Sequence, residues 1–394
     1  MTFAKRILII FLPFVLGCFM SNYLRTVTAV LSPFIEGELS ISAATMGLIV
    51  SSFFLCFALS QIPVGVFTDR YGPRRVQAAL FYLAGIGSII FGCAKGPLLL
   101  ITGLVLIGLG VGGGLMIAFV ANRIWFNKED LPLLNSLVFG LGSIGAVIST
   151  TPSLVFVNAT SWETVAITVG IATMLVATLI LVLVPDPVRH SDHLTFKENF
   201  RGLKIILNDR YFWKVSPLVL TSIGSIMIMQ SYWIFPWMNY VGNFSRKEIS
   251  HLLLVIGVVL VFAPPTSSYI AVLFSRFKGN LEWAMGIGVA ISILTQIAIV
   301  LRIWPQSSLL WGLYAFFSFV PLLGFTAISL HFPSEYAGRS STGVNLVNFS
   351  GTFFLQCLFG LISRSSILAS FCLMILFQIA ALIWFCFGKV GRYG

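Results

Sequence analysis

The chain has 394 residues, of which 58% are hydrophobic and only 9% charged, and its mean hydropathy is +0.98. A water-soluble protein of this size needs a far more polar surface, so the composition excludes a soluble fold and requires lipid as part of the solvent. The formal charge of +11 comes from 24 Lys and Arg against 13 Asp and Glu, and its meaning depends on where those residues fall.

In lipid every backbone group must be paired internally, in helices or a closed barrel. The apolar runs here are about 20 residues or longer, not the short alternating stretches of a barrel. They predict spans near 7–31, 45–66, 76–94, 98–122, 134–157, 163–184, 213–239, 250–274, 282–302, 307–331, 340–362 and 367–387. The first run is too long for a signal-peptide core and no small-residue cleavage site follows it, so it is expected to be retained. With the N-terminus inside, Lys95, Arg246, Lys247, Arg302 and Arg364 fall outside and Arg25 within a span. All other Lys and Arg fall inside. This positive-inside bias predicts cytoplasmic termini in a plasma membrane, such as a bacterial inner membrane. The basic charge then reports topology and contact with anionic lipid, with no nucleic-acid partner.

The first span carries Arg25 among Asn22, Tyr23, Thr26 and Thr28, with Asn22, Arg25 and Ser32 on one helical face. An intramembrane arginine costs about 2.5 kcal/mol or more. It faces a wet cavity or a partner, or it snorkels to the headgroups. No Asp or Glu lies in the middle of any span. An unpaired cation in a cavity favours an anionic ligand that supplies the missing counter-charge.

Between the second and third spans runs GVFTDRYGPRR, residues 65–75. Gly65, Asp69, Arg70, Gly72, Arg74 and Arg75 fit the pattern G-x-x-x-D-[RK]-x-G-x-[RK]-[RK], and Pro73 departs from it where a basic residue is often found. This string resembles the loop between the second and third helices of Major Facilitator Superfamily transporters. The resemblance implies an all-α integral membrane fold of 12 transmembrane helices in two pseudo-symmetric six-helix bundles, with a substrate site near mid-membrane between them. It implies that the first helix lines the cavity. It also implies that Asp69 contacts the partner half near the start of the eleventh helix and helps hold the cytoplasmic side closed. Ser340, Ser341 and Thr342, just after Arg339, are expected to begin and cap that helix, whose free N–H groups would favour a carboxylate. Arg123, ending the fourth span, is a further candidate partner. The other reading of the loop is a basic topogenic anchor.

The fourth span has Leu104 where the family often has an arginine. It is dense in glycine instead (Gly108, Gly110, Gly112, Gly113, Gly114), in GxxxG spacings that allow close helix approach. The fifth span has Gly140, Gly142, Gly145 and Pro152 but lacks the adjoining Gly-Pro associated with antiporters. The polar stretch 185–212 divides the chain into residues 1–184 and 213–394, and across it the chain repeats at an offset of 206. Gly65, Asp69, Arg70 and Tyr71 map onto Ala271, Ser275, Arg276 and Phe277. Phe126 and Glu129 map onto Phe332 and Glu335, and Gly145 onto Gly351.

In the second half, Gln230, Trp233 and Trp237 share a face of the seventh span, although outer aromatics also suit an interfacial belt. Tyr314 and Ser318 are i, i+4 in the tenth, and His331 at its inner end is expected to contact loop backbone. In the eleventh, Ser341, Asn345, Asn348, Thr352 and Gln356 form a polar stripe that should not face lipid. The candidate substrate-binding set is therefore Asn22, Arg25, Gln230, Trp233, Tyr314, Asn345, Asn348 and Gln356.

The six cysteines show no CxxC or Cys/His spacing and read as buried inert thiols, so neither metal nor cofactor is expected. No GxxxxGK[ST] occurs, which disfavours an ATP-driven pump, and four scattered His without intramembrane acids do not make an enzyme. The expected function is secondary active or facilitative transport of a small anionic organic solute by alternating access. A co-transported proton or anion exchange supplies any coupling, and the protein acts as a monomer. The alternatives are an exporter of amphipathic, drug-like compounds, supported by 14% aromatics, and a membrane sensor on a transporter fold, which would need a larger soluble segment.

Overall fold

The computed structural model describes residues 3–127, 129–186, 203–242, 244–276, 281–333 and 337–388. Among these the secondary structure is helical. The long helices are α1 (Phe3–Leu39), α2 (Ala43–Tyr71), α3 (Pro73–Gly92), α4 (Pro97–Trp125), α5 (Leu133–Ala159), α6 (Trp162–Leu183), α7 (Arg210–Gly242), α8 (Arg246–Arg276), α9 (Leu281–Val300), α10 (Ser308–His331), α11 (Arg339–Ser363) and α12 (Ile367–Phe387). Eleven of them are long and apolar enough to cross a membrane, and the 31-residue α8 occupies the eighth predicted span.

The helices outrun the apolar windows, because hydrogen bonding continues until a cap or a turn residue stops it. Glu36 and Glu38, expected in a loop, lie in the last turns of α1, which ends where Ser40 turns left-handed at φ 52°. Ser42 then starts α2 by accepting from Thr45 N–H at 3.3 Å. Helical backbone is already present at Ala337, so Ser340, Ser341 and Thr342 lie inside the eleventh helix and do not cap it. Side-chain caps from Ser161, Asp209, Ser307 and Ser366 begin α6, α7, α10 and α12.

The chain forms two compact units, residues 1–196 and 197–394. In the first, α3 packs on α4 and α6, α1 on α5, and α2 on α4. In the second, α9 packs on α10 and α12, α7 on α11, and α8 on α10. Each pairing recurs six helices later. The repeat positions agree: Phe126 ends α4 and Phe332 ends α10, both buried with extended backbone. Gly145 on α5 lies against the α1 backbone at Phe19 and Tyr23, and Gly351 on α11 lies against Leu220 of α7. The side chains of Ala271, Ser275 and Arg276, and all of Phe277 and Glu335, lie outside the described residues.

The glycines of α4 serve three neighbours. A Cβ at Gly108 would meet Phe53 on α2, one at Gly110 would meet Leu80 and Ala84 on α3, and one at Gly114 would meet Ser21 on α1. Higher on the same helix, a Cβ at Gly103 would stand 2.8 Å from the Gly87 carbonyl oxygen of α3.

The charged string forms the α2–α3 junction. Gly72 sits at φ 83°, a conformation that suits only glycine, and its N–H closes α2 onto Thr68 O at 2.9 Å. Pro73 is the first residue of α3, where its fixed φ helps and its missing N–H costs nothing. Arg74 donates Nε and Nη2 to Leu181 O in the last turn of α6, at 3.1 and 2.6 Å. Its Nη1 reaches Asp186 at 3.0 Å, and Arg75 meets the same carboxylate at 3.2 Å. The two arginines thus clamp the start of α3 to the end of α6, where free carbonyls favour cations. Desolvation raises the Asp186 carboxyl, but the Arg75 and Arg74 guanidiniums outweigh it and hold it below its usual range.

Two stability tests follow from these contacts. Gly103→Val should lower the melting temperature in detergent, at an overpacking cost of about 1–3 kcal/mol, whereas Gly65→Ala should not, because a Cβ there meets nothing within 4 Å. Arg74→Ala should destabilise more than Asp186→Asn, since it also strands the Leu181 carbonyl. The Asp186→Asn penalty should persist from neutral pH down to about pH 4 and vanish below it, as the wild-type carboxylate takes up its proton. Melting curves against pH check both order and sign.

Candidate functional site

In the first unit α1 is bolted to α5 by two hydroxyl pairs, Tyr23–Ser153 and Thr26–Ser149, each at 2.6 Å. This fixes the rotation of α1 and leaves Asn22 and Arg25 half-buried beside the bolted face. Asn22 Nδ2 donates to Cys18 O at 3.0 Å, so its Oδ1 is turned to accept from Arg25 Nη2 at 3.1 Å. Among the described residues Arg25 has no carboxylate partner. One of its five N–H donors is used within the protein, and the rest of the fork is available. Ser32 does not extend this face: it is fully buried and donates to Ala29 O.

Helical regularity breaks in corresponding helices of the two units. In α4 the helix is interrupted at Gly112–Gly113, and Gln61 of α2 donates to Gly112 O at 3.0 Å. In α10 it tightens to a 3-10 turn at Val320–Leu322. In α1 it loosens to a π turn at Ile7–Phe11 and breaks at Val27, and in α7 it widens to a π turn at Met229–Trp233. Such irregular backbone is tolerated at membrane depth only where protein or an aqueous space satisfies it, and π turns recur at functional positions.

The π turn of α7 carries two of the expected residues, Gln230 and Trp233, both fully buried. The Trp233 ring lies 4.6 Å from Phe359 of α11, and Trp237 lies 4.6 Å from Phe371 of α12. Among the described residues neither amide atom of Gln230 has a hydrogen-bond partner, nor does either indole N–H. On α11 Asn345 is half-buried, while Asn348, Thr352 and Gln356 are buried. Thr352 donates to Asn348 O at 2.7 Å. Asn348 Oδ1 and both amide atoms of Gln356 have no partner. The stripe therefore turns into the unit, against α7, as it nears Gln356.

Tyr314 is buried and committed within the unit: its hydroxyl donates to Ser225 at 3.1 Å. Ser222 donates to Ser318 O, and Ser292 meets the Ser318 hydroxyl at 2.7 Å. Gln296 and Gln378 close the network with reciprocal bonds of 2.9 and 2.8 Å between α9 and α12. Sequence reasoning passed over this network; its signal was one glutamine in each of two predicted spans, Gln296 and Gln378. His331, expected against loop backbone, meets Asp209 at 3.4 Å and stacks on Tyr211 at 4.4 Å. Lys214 pairs with Glu282 at 2.7 Å. The cysteines are free, but Cys93 and Cys386 are exposed, contrary to the expectation of burial, because they sit near helix ends.

Of the candidate gating residues, Arg74 and Arg75 are engaged in the clamp on Asp186. Gly65 and Asp69 lie one turn apart on the last turns of α2, with Asp69 exposed. Arg70 is exposed, its guanidinium 5.3 Å from the Tyr71 ring centroid. Arg123 is exposed in the last turn of α4.

Known proteins carry the same organisation. The chain is 27% identical over 146 residues to a probable sulfoacetate transporter of Cupriavidus necator, covering 37% of this chain and 34% of that protein. It is 34% identical over 105 residues to a hexuronate transporter of Bacillus subtilis, covering 26% and 25%. The chain thus matches about a third or less of the length of these relatives. The solved structure of a D-xylose-proton symporter superposes with a TM-score of 0.77 over 98% of both chains at 15% identity, a likeness of fold. A profile of the Major Facilitator Superfamily matches residues 14–356, and the chain belongs to that superfamily of multi-pass membrane transporters.

Proposed function

We propose that this protein is a secondary active or facilitative transporter that moves a small organic anion by alternating access. The observation that carries the reading is Arg25: an intramembrane cation, positioned by Asn22 and lacking a carboxylate partner among the described residues. An anion supplies the counter-charge, through charge-assisted bonds to the open guanidinium fork. The named substrates of the two relatives, sulfoacetate and hexuronate, are both organic anions, which supports the choice. Asn22, Arg25, Gln230, Trp233, Tyr314, Asn345, Asn348 and Gln356 form the proposed binding set, with Tyr314 acting as a support through Ser225. Residues 1–184 and 213–394 are the two transmembrane bundles, and 185–212 is the cytoplasmic link. The protein works as a monomer in a bacterial inner membrane with both termini inside, and a proton moving with the substrate or exchange of anions supplies the coupling.

The test is a thermal-shift screen of purified protein against organic anions, cations and neutral solutes. Anions should raise the melting temperature. Arg25→Gln should weaken anion binding about tenfold or more, the loss of one charge-assisted hydrogen bond. Stabilisation by cations alone, or anion binding indifferent to Arg25, would sink the reading.

Asp69 is the proposed gating acid. It shares a face of α2 with Gly65, where a Cβ would meet nothing within 4 Å, so that face leaves room for rearrangement. Asp69→Asn should slow transport and increase labelling of cysteines engineered on the inner side. Unchanged uptake together with unchanged labelling would remove Asp69 from the gate.

A further inference from the structure

The second unit contains two glutamine pairs on neighbouring helices, and they differ in one respect. Gln296 and Gln378 satisfy each other, donor to acceptor in both directions. Gln230 and Gln356 are equally buried, and among the described residues all four of their amide atoms lack a partner.

The register of α7 and α11 brings this second pair to one level. Leu220 meets Gly351, Gly224 meets Thr352, and Trp233 meets Phe359. Residue numbers rise together along the two helices, so they run parallel. Gln230 lies three residues before Trp233, and Gln356 three residues before Phe359, so both glutamines sit about one turn before the same ring pair. Among the described residues the Trp233 indole N–H, in the same π turn as Gln230, is a further unpaired donor.

The inventory of unpaired atoms is specific. Gln230 Nε2, Gln356 Nε2 and Trp233 Nε1 are donors; Gln230 Oε1 and Gln356 Oε1 are acceptors only. The oxygens of a simple carboxylate, sulfonate or nitrate can satisfy the three donors but neither acceptor. A hydroxyl group can do both, donating to an amide oxygen while accepting from an amide or indole N–H. Buried amides left unpaired are costly, and a site that spends them on substrate hydroxyls discriminates strongly against a substrate that lacks them.

We propose that the transported anion carries several hydroxyl groups and that Gln230 and Gln356, with the Trp233 indole, recognise them. This rests on the anion-transport reading for the charge of the ligand, but the hydroxyl recognition has its own evidence. In this conformation the amide atoms are covered, and the ligand reaches them when α7 and α11 part. The π turn at Met229–Trp233 is where α7 can rearrange without losing all its backbone bonds.

The experiment measures binding to the purified full chain, and its melting temperature, with three anion probes: D-glucuronate, hexanoate and nitrate. Hexanoate has the same six carbons and carboxylate as glucuronate but no hydroxyls. Wild type should prefer glucuronate over hexanoate by about tenfold or more. Gln230→Met and Gln356→Met, near-isosteric and apolar, should abolish that preference by weakening glucuronate about tenfold more than hexanoate. In the absence of ligand their melting temperatures should be equal to or above wild type, because an unsatisfied buried amide has been removed. Arg25→Gln should weaken both acids together. Wild type binding the two acids equally would overturn the proposal. So would methionine variants that melt lower yet keep the preference, the signature of glutamines that merely hold buried water. Failure of the parent reading looks different: no probe anion binds, whereas sorbitol binds and the methionine variants lose it, which would remove the charge and keep the hydroxyl recognition.

Discussion

Lipid tails are as apolar as the side chains they surround, so hydrophobicity does not press one membrane helix against another. What remains is backbone approach at small residues and hydrogen bonds between buried polar groups. The two units use the same helix pairings but different mixtures of these forces. In the first, α4 meets α1, α2 and α3 through separate glycines, and α1 approaches α5 at Gly142 and Gly145. In the second, valines fill the space opposite Gly288 and Gly324, and the polar chain from Tyr314 to Gln378 ties α7, α9, α10 and α12 together.

This division matters for which polar groups remain for a ligand. Hydroxyls are readily absorbed by a neighbouring carbonyl of their own helix, as in Ser225, Ser231 and Thr352. Carboxamides and guanidiniums carry too many donors and acceptors for that. Gln61 spends itself on the interrupted α4 backbone, and Gln296 and Gln378 on each other. Arg25 retains most of its donors, and Gln230 and Gln356 retain all their capacity. Among the described residues, the buried or half-buried groups that keep most of their capacity include Arg25 on α1, Gln77 on α3, Gln230 on α7 and Gln356 on α11.

The twelve helices and the duplication were legible because both are written in long-period features. Apolar windows mark spans, and Phe126 with Phe332 marks the end of corresponding helices even though the surrounding residues have diverged. Helix ends were less legible, because Glu36 and Glu38 at the end of the first helix, and Ala337 to Arg339 at the start of the eleventh, extend helices past the apolar windows on hydrogen bonding that hydropathy does not register. The charged string was recognised as a junction, but not the use of its parts. Arg74 reaches a backbone carbonyl 107 residues away, and a carbonyl has no sequence signature; Asp186 lay in a polar stretch with nothing to single it out. On α11 the polar period was read correctly, whereas its turn into the unit toward Gln356 depends on which helix packs there.

The offset of 206 also places each remaining polar group opposite its counterpart in the other unit. Arg25 corresponds to Ser231, Gln230 to Leu24, and Gln356 to Thr150. None is duplicated, and the energetics give a reason. A second unpaired intramembrane arginine would add about 2.5 kcal/mol or more of insertion cost. A second pair of open carboxamides would weaken the hydroxyl bolt that Thr26 and Ser149 provide at the neighbouring position of α5. A duplicated scaffold therefore keeps its helix pairings in both copies, and on the proposed reading its ligand chemistry diverges, with Arg25 only in the first unit and Gln230 with Gln356 only in the second.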